Sequence, residues 1–162
     1  MKNYIFALCT VGMLSTSLSA NAEDSQQEWL FVQTASAFFS TDNTLTLPIE
    51  QEVFGFTDRP DRIHAYLNAH EYLDLWKKGD DNFTANPPNA VLTWIENGEI
   101  KEAEVLLKSA NLDQFGRIIQ YEITYENGNE IPDFANHVSL FVDGAFTSFN
   151  ECDENGCRPR FG

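Results

Sequence analysis

Residues 56–76 of this 162-residue chain read FTDRPDRIHAYLNAHEYLDLW and concentrate the side chains that could do chemistry. Asp58, Arg59, Asp61 and Arg62 surround Pro60, and His64, His70 and Glu71 follow. Two uses fit the first group. An Asp carboxylate can accept backbone N–H groups while an Arg fork pairs with it, which builds a structural corner. The same arginines, left open, would grip a carboxylate or phosphate ligand bidentately. The histidines do not make a zinc helix, because H-E-x-x-H needs both rings four residues apart on one face, and His64 and His70 are six apart. No metal site is read from them. Asp58 with His64 and His70 could still serve a hydrolase, provided a concave pocket gathers them. There is no G-x-S-x-G elbow. With 25 carboxylates in the chain, finding two near each other proves nothing about a glycosidase-like pair. Two oxygen-rich stretches, Asp80-Asp81-Asn82 and Asp153-Glu154-Asn155, are possible Ca²⁺ loops, although neither follows the EF-hand order.

The elements that must position these groups are mostly strands. EWLFVQTASAFFS (28–40) is rich in apolar and β-favouring residues and has no helix stop until Asp42-Asn43. TLTL (44–47) and EVFGF (52–56) alternate; the second sets Val53 opposite Phe54 and Phe56, and Gly55 marks a bulge or a close backbone approach. The spacing predicts one helix, with Asn68 as N-cap, Glu71 completing a capping box, Tyr72, Leu75 and Trp76 on one stripe, and Gly79 as the stop. Asn86-Pro87-Pro88-Asn89 is a loop. AVLTWIE (90–96) and the run after Asn97-Gly98 read as a hairpin. GRIIQYEITYENG (116–128) and HVSLFVDG (137–144) are further alternating strands. About seven short strands and one inserted helix predict an antiparallel β-sandwich; a partly open barrel is the alternative.

The ends and the charge bound the function class. MKNYIFALCTVGMLSTSLSANA has a basic residue, a short apolar run and an Ala20-Asn21-Ala22 site, the three parts of a secretory signal. Cleavage after residue 22 would leave a single domain of residues 23–162, periplasmic or secreted. The apolar run is too short to span a bilayer, which takes about 20 residues. Removing Lys2 leaves nine basic against 25 acidic residues, a net charge of −16. Such a field repels phosphate backbones and anionic membranes, and favours solubility, cations or a basic partner protein. Cys152 and Cys157 are the two cysteines beyond the signal. In an oxidising compartment so close a pair reads as a disulfide, with free or metal-bound thiols as the alternative.

The runs FTDRPDR (56–62) and NPPNAVL (86–92), with Trp76 and Phe83 between them, resemble a family of exported bacterial proteins that carry F-[ST]-D-R-P-x-R and P-P-N-A-x-L runs after a signal peptide. The resemblance extends faintly from Trp29 to SLFVDG (139–144) and leaves out the cysteine tail. No activity is established for that family, so the likeness implies export and a shared fold, without a reaction. It also implies that the two runs flank the helix and meet, placing Asp58, Arg59, Arg62 and Asn89 on one ligand-binding patch. These observations together predict a non-catalytic exported module that binds a protein or a small-molecule or saccharide ligand. The alternative is a hydrolase using carboxylate and His residues between Asp58 and Glu71.

Overall fold

The computed structural model describes residues 27–58, 62–79, 82–146, 151–153 and 156–158. The expected signal peptide, Arg59, and Asp80, Asp81, Glu154 and Asn155 of the two stretches considered for Ca²⁺ lie outside the described residues. The elements in chain order are β1 (Gln27–Thr41), β2 (Thr44–Pro48), β3 (Val53–Thr57), β4 (His64–Leu67), α1 (Ala69–Asp74), β5 (Asn89–Glu96), β6 (Glu99–Leu112), β7 (Ile118–Gly128), β8 (Phe134–Phe146), β9 (Glu151–Asp153) and β10 (Gly156–Arg158).

The fold is mainly β and antiparallel, but it is not a two-layer sandwich. β1 to β8 form one sheet in the order β2-β7-β6-β5-β8-β1-β3-β4, and β2 also pairs with β1. That extra pairing closes six strands, β1-β2-β7-β6-β5-β8, into a barrel and leaves β3 and β4 as a two-stranded extension. The partly open barrel was therefore the nearer expectation. The reason lies in β1, whose 15 residues outrun any one neighbour. One of its edges pairs with β8 from Gln27 to Phe39. The other edge forks, taking β3 at residues 29–32 and β2 at 39–41. In the crotch of the fork the Ser36 N–H has no strand opposite and donates to Glu50 Oε2 at 2.9 Å, and Ser36 Oγ donates to the same carboxylate. Register shifts between β6 and β7 and between β5 and β8 add the bends that closure needs. His137 sits inside β8 at the second of these irregularities, with φ of 56°.

Alternation does the rest. Trp29, Phe31 and Phe38 of β1, Leu92 and Trp94 of β5, Val105 and Leu107 of β6, Ile119 and Tyr121 of β7, and Leu140 and Val142 of β8 all point inward and are buried. The Asn97-Gly98 turn, with both residues at positive φ, joins β5 to β6 in the hairpin expected from that dipeptide. One end of the barrel is plugged by α1 and the residues after it, which bury Tyr72, Leu73, Leu75, Trp76 and Phe83. The capping box is present: Asn68 Oδ1 accepts from His70 N at 3.0 Å and Glu71 N at 3.1 Å, while Glu71 Oε2 accepts from Asn68 N at 2.9 Å. The α-helix ends sooner than expected, at Asp74, and the chain continues in turns. Thr84 Oγ1 donates to Trp76 O at 2.6 Å and Phe83 N to Leu75 O at 2.8 Å, so the plug is closed by its own hydrogen bonds.

Candidate functional site

The β3–β4 extension turns two different faces to the molecule. Toward the core, Phe31 stands opposite Gly55, which stands opposite Ala65, and Val53 stands opposite Leu67. A Cβ on Gly55 would lie 2.9 Å from Phe31 Cε1. The close approach expected at this glycine is therefore against an aromatic ring.

Toward solvent the register lines up a band. Tyr66 pairs with Phe54, Phe54 with Val32, Val32 with Phe141 and Phe141 with Val91. The band crosses five strands, β4-β3-β1-β8-β5, and spans about 19 Å at the usual strand spacing. A parallel row beside it runs His64, Phe56, Leu30 and Asp143. The rings touch: Phe54 to Tyr66 is 5.1 Å between centroids, Phe54 to Phe56 5.6 Å and Phe54 to His64 6.3 Å. Tyr66 is 65% exposed, and the other apolar members of the band are half-buried. At the β8–β5 end the band enters a cleft of about 260 Å³ whose floor includes Leu30, Val91 and Phe141 and whose rim carries Glu104, Glu126 and Asp143. An apolar floor with a carboxylate rim can seat an apolar side chain and pair a cation beside it.

The residues singled out in the sequence are scattered over the molecule. Asp58 and Arg62 meet at the β3–β4 connection, where Arg62 N donates to Asp58 O at 3.1 Å. Both side chains are exposed and form no ion pair with each other. The corner is closed instead through Thr57, which is buried; its N–H donates to Ile63 O at 2.9 Å and its Oγ1 accepts from Ile63 N at 3.0 Å. Arg62 has φ of 51°, the left-handed region. Asn89 begins β5 and lines the carboxylate-rimmed cleft and an adjoining one of about 280 Å³ that contains Pro87, Pro88, Glu28 and Asp143. Neither cleft is lined by Asp58 or Arg62. His64 lies in the row beside the band, 6.3 Å from the Phe54 ring. His70 borders a separate shallow hollow of about 520 Å³ with Glu50 and Glu52, while Glu71 spends its carboxylate on the helix cap. The oxygen of Asn82 accepts from Thr84 N and Ala85 N, each at 3.0 Å. Among the described residues, no three His, Cys, Asp or Glu side chains stand close enough to hold a metal.

A scan against protein-family models, a search of curated proteins and a search of solved structures each find no significant match.

Two features could not be found from residue types. The band is one: alternation in EVFGF separates Val53 from Phe54 and Phe56, but only the register shows which face meets water. The other is a polar contact inside the barrel, where Tyr121 Oη donates to Gln33 Oε1 at 2.5 Å and both residues are buried. Tyr72 Oη is the neighbour of Tyr121 Oη but lies outside hydrogen-bond geometry. Burial pushes both hydroxyls above the ordinary tyrosine value; the adjoining Tyr121 hydroxyl opposes this slightly at Tyr72, while Tyr72 adds to it at Tyr121. Such groups hold their protons and are poor acids, which suits packing rather than proton transfer. The C-terminal strands β9 and β10 pair so that Cys152 and Cys157 stand directly opposite. Opposed antiparallel residues have Cα atoms about 4.5–5.5 Å apart, inside the window for a disulfide.

Proposed function

We propose that the chain is an exported, non-catalytic binding module that seats a basic, apolar-rich protein segment on its outer band. The observation that carries this reading is the continuous band from Tyr66 to Val91 running into a cleft rimmed by Glu104, Glu126 and Asp143. Contiguous apolar area of this kind on a soluble face marks an interaction site. The rim and the chain's formal charge of −15 select a cation-bearing partner and raise its association rate. Export is supported by the three-part N-terminal signal and by the resemblance to exported proteins. The Cys152–Cys157 disulfide is part of the proposal, supported by compartment and by register.

The test is a labelled peptide of alternating Arg and Phe, titrated by fluorescence anisotropy against the mature chain. Tyr66→Ser and Glu104→Gln/Glu126→Gln should each weaken binding at least tenfold, and added salt should weaken it for the wild type. Binding that ignores both sets of substitutions sinks the reading. Capture of neutral oligosaccharides that depends on Tyr66 but not on salt would replace the basic segment with a saccharide.

A further inference from the structure

The band offers a partner almost no main-chain hydrogen bonds. β3, β1, β8 and β5 each have strands on both sides, so their backbone groups are spent in the ladders. Affinity must come from side chains, which favours a partner whose backbone stays solvated and which loses little entropy on ordering. The band is also narrow. Its two rows, Tyr66-Phe54-Val32 and His64-Phe56-Leu30, take alternate residues of each strand and lie about 7 Å apart. The next row, Thr34-Ser139-Thr93, is polar. An α-helix is about 10–12 Å wide with its side chains and would cover that polar row as well. A polyproline II helix is slimmer. Three residues per turn give it three ridges, so two rest on the two rows while the third faces water.

The spacing agrees. Neighbouring positions along the band are about 4.8 Å apart, so every second strand lies about 9.6 Å on. Polyproline II rises about 3.1 Å per residue and repeats every three residues, or about 9.3 Å. An extended β segment repeats on one face at about 6.6 Å, out of step with the strands. A polyproline segment laid across the strands sets residue i between Tyr66 and Phe54, and residue i+3 between Val32 and Phe141. Residue i+6 then falls just beyond Val91. There Glu104 pairs with Val91 across the β5–β6 ladder, and Glu126 stands on the rim of the same cleft. We propose that the partner is a proline-rich segment in the polyproline II conformation, apolar at i and i+3 and basic at i+6. It crosses the strands with its basic end over Glu104 and Glu126. This rests on the band reading above and adds the partner's conformation and spacing to it.

The probe is a labelled heptapeptide, Leu-Pro-Pro-Leu-Pro-Pro-Arg, titrated by fluorescence anisotropy against the mature chain. Its comparison is Leu-Pro-Pro-Arg-Pro-Pro-Leu, the same composition with the arginine moved to i+3. The first should bind at least tenfold more tightly, and Glu104→Gln/Glu126→Gln should remove that advantage. Replacing its prolines by glycines keeps the order of side chains but frees the backbone, and should weaken binding at least tenfold. A spin label at the arginine end should broaden the amide signals of Val91 and Glu104, and one at the leucine end those of Phe54 and Tyr66. Equal affinity for the two heptapeptides, a glycine version that binds as well, or broadening in the opposite order overturns the polyproline segment. The alternating Arg–Phe peptide separates the two readings. If Tyr66→Ser weakens that peptide while the heptapeptides fail these tests, the band stands and the polyproline segment alone falls. If no peptide depends on Tyr66, both fall together.

Discussion

The closed barrel and the β3–β4 extension are made from the same kind of strand and do opposite things. In the barrel both edges of every strand find partners, and the inward side chains fill the interior until Tyr121 and Gln33 must satisfy each other. In the extension one face joins that core through Val53, Ala65 and Leu67, while the other leaves Phe54, Phe56, His64 and Tyr66 toward solvent. Stability is concentrated in the first region, and surface available for recognition in the second. β1 belongs to both, and its fork is where the division is made.

The comparison breaks most visibly if large rings on the two faces matter equally. Phe31→Ala, at a fully buried ring against Tyr72 and Phe83, should cost about 3–5 kcal/mol and lower the melting midpoint by about 10 °C. Tyr66→Ser, on the outer face, should stay within about 0.5 kcal/mol by the same thermal melt. A drop of several degrees from Tyr66→Ser would mean that the band is structural. Alkaline titration tests the interior differently. The hydroxyls of Tyr72 and Tyr121 have raised values in the fold, so their contribution is complete below the unfolded value of about 10 and is lost as pH rises above it. Stability should fall by about 1.4 kcal/mol per pH unit for each group there, seen as coincident unfolding and tyrosinate absorbance. Tyrosinate forming from these two residues while the far-ultraviolet signal remains native would show that the barrel admits hydroxide.

Smaller effects sharpen the boundary. Tyr121→Phe leaves Gln33 Oε1 without its donor and should cost about 1–3 kcal/mol in chemical denaturation, most of it recovered by adding Gln33→Met. Gly55→Ala places a methyl against Phe31, a ring held by Trp29, Tyr72 and Phe83, and should cost about 1–3 kcal/mol. The smallest change concerns the β3–β4 corner. Arg62→Gly relieves a left-handed backbone and should raise stability by up to about 1 kcal/mol. A loss of more than that amount would restore the arginine side chain as the corner's support.

What the sequence made legible follows from how far each signal reaches along the chain. The capping box at Asn68 and Glu71, the Asn97-Gly98 hairpin and the close approach at Gly55 depend on residues a few positions apart, or on glycine itself, and were readable. Barrel closure depends on β2 returning to β1 while β3 takes β1's other half, and no local pattern encodes that, because sandwich and barrel strands alternate alike. β4 was hidden in the charged run: its four residues HAYL show one apolar alternation, too short to separate from a corner. The candidate site suffered likewise. Asp58 and Arg62 drew attention by charge, whereas Tyr66, Phe54 and Phe141, far apart in sequence, form a band only through three strand registers.

The pairing of Gln27 with Phe146 also sets an order of events during synthesis. β8 is the last strand of the barrel and the one that joins β1 to β5, so the ring has a gap until residue 146 has left the ribosome. Every earlier length of the chain presents the unmatched edges of β1 and β5, which are prone to pair with other chains. A closure between residues more than a hundred positions apart is slow, on the order of milliseconds to seconds for β-rich domains. A nascent chain of this protein therefore keeps its ring open until β8 has been made.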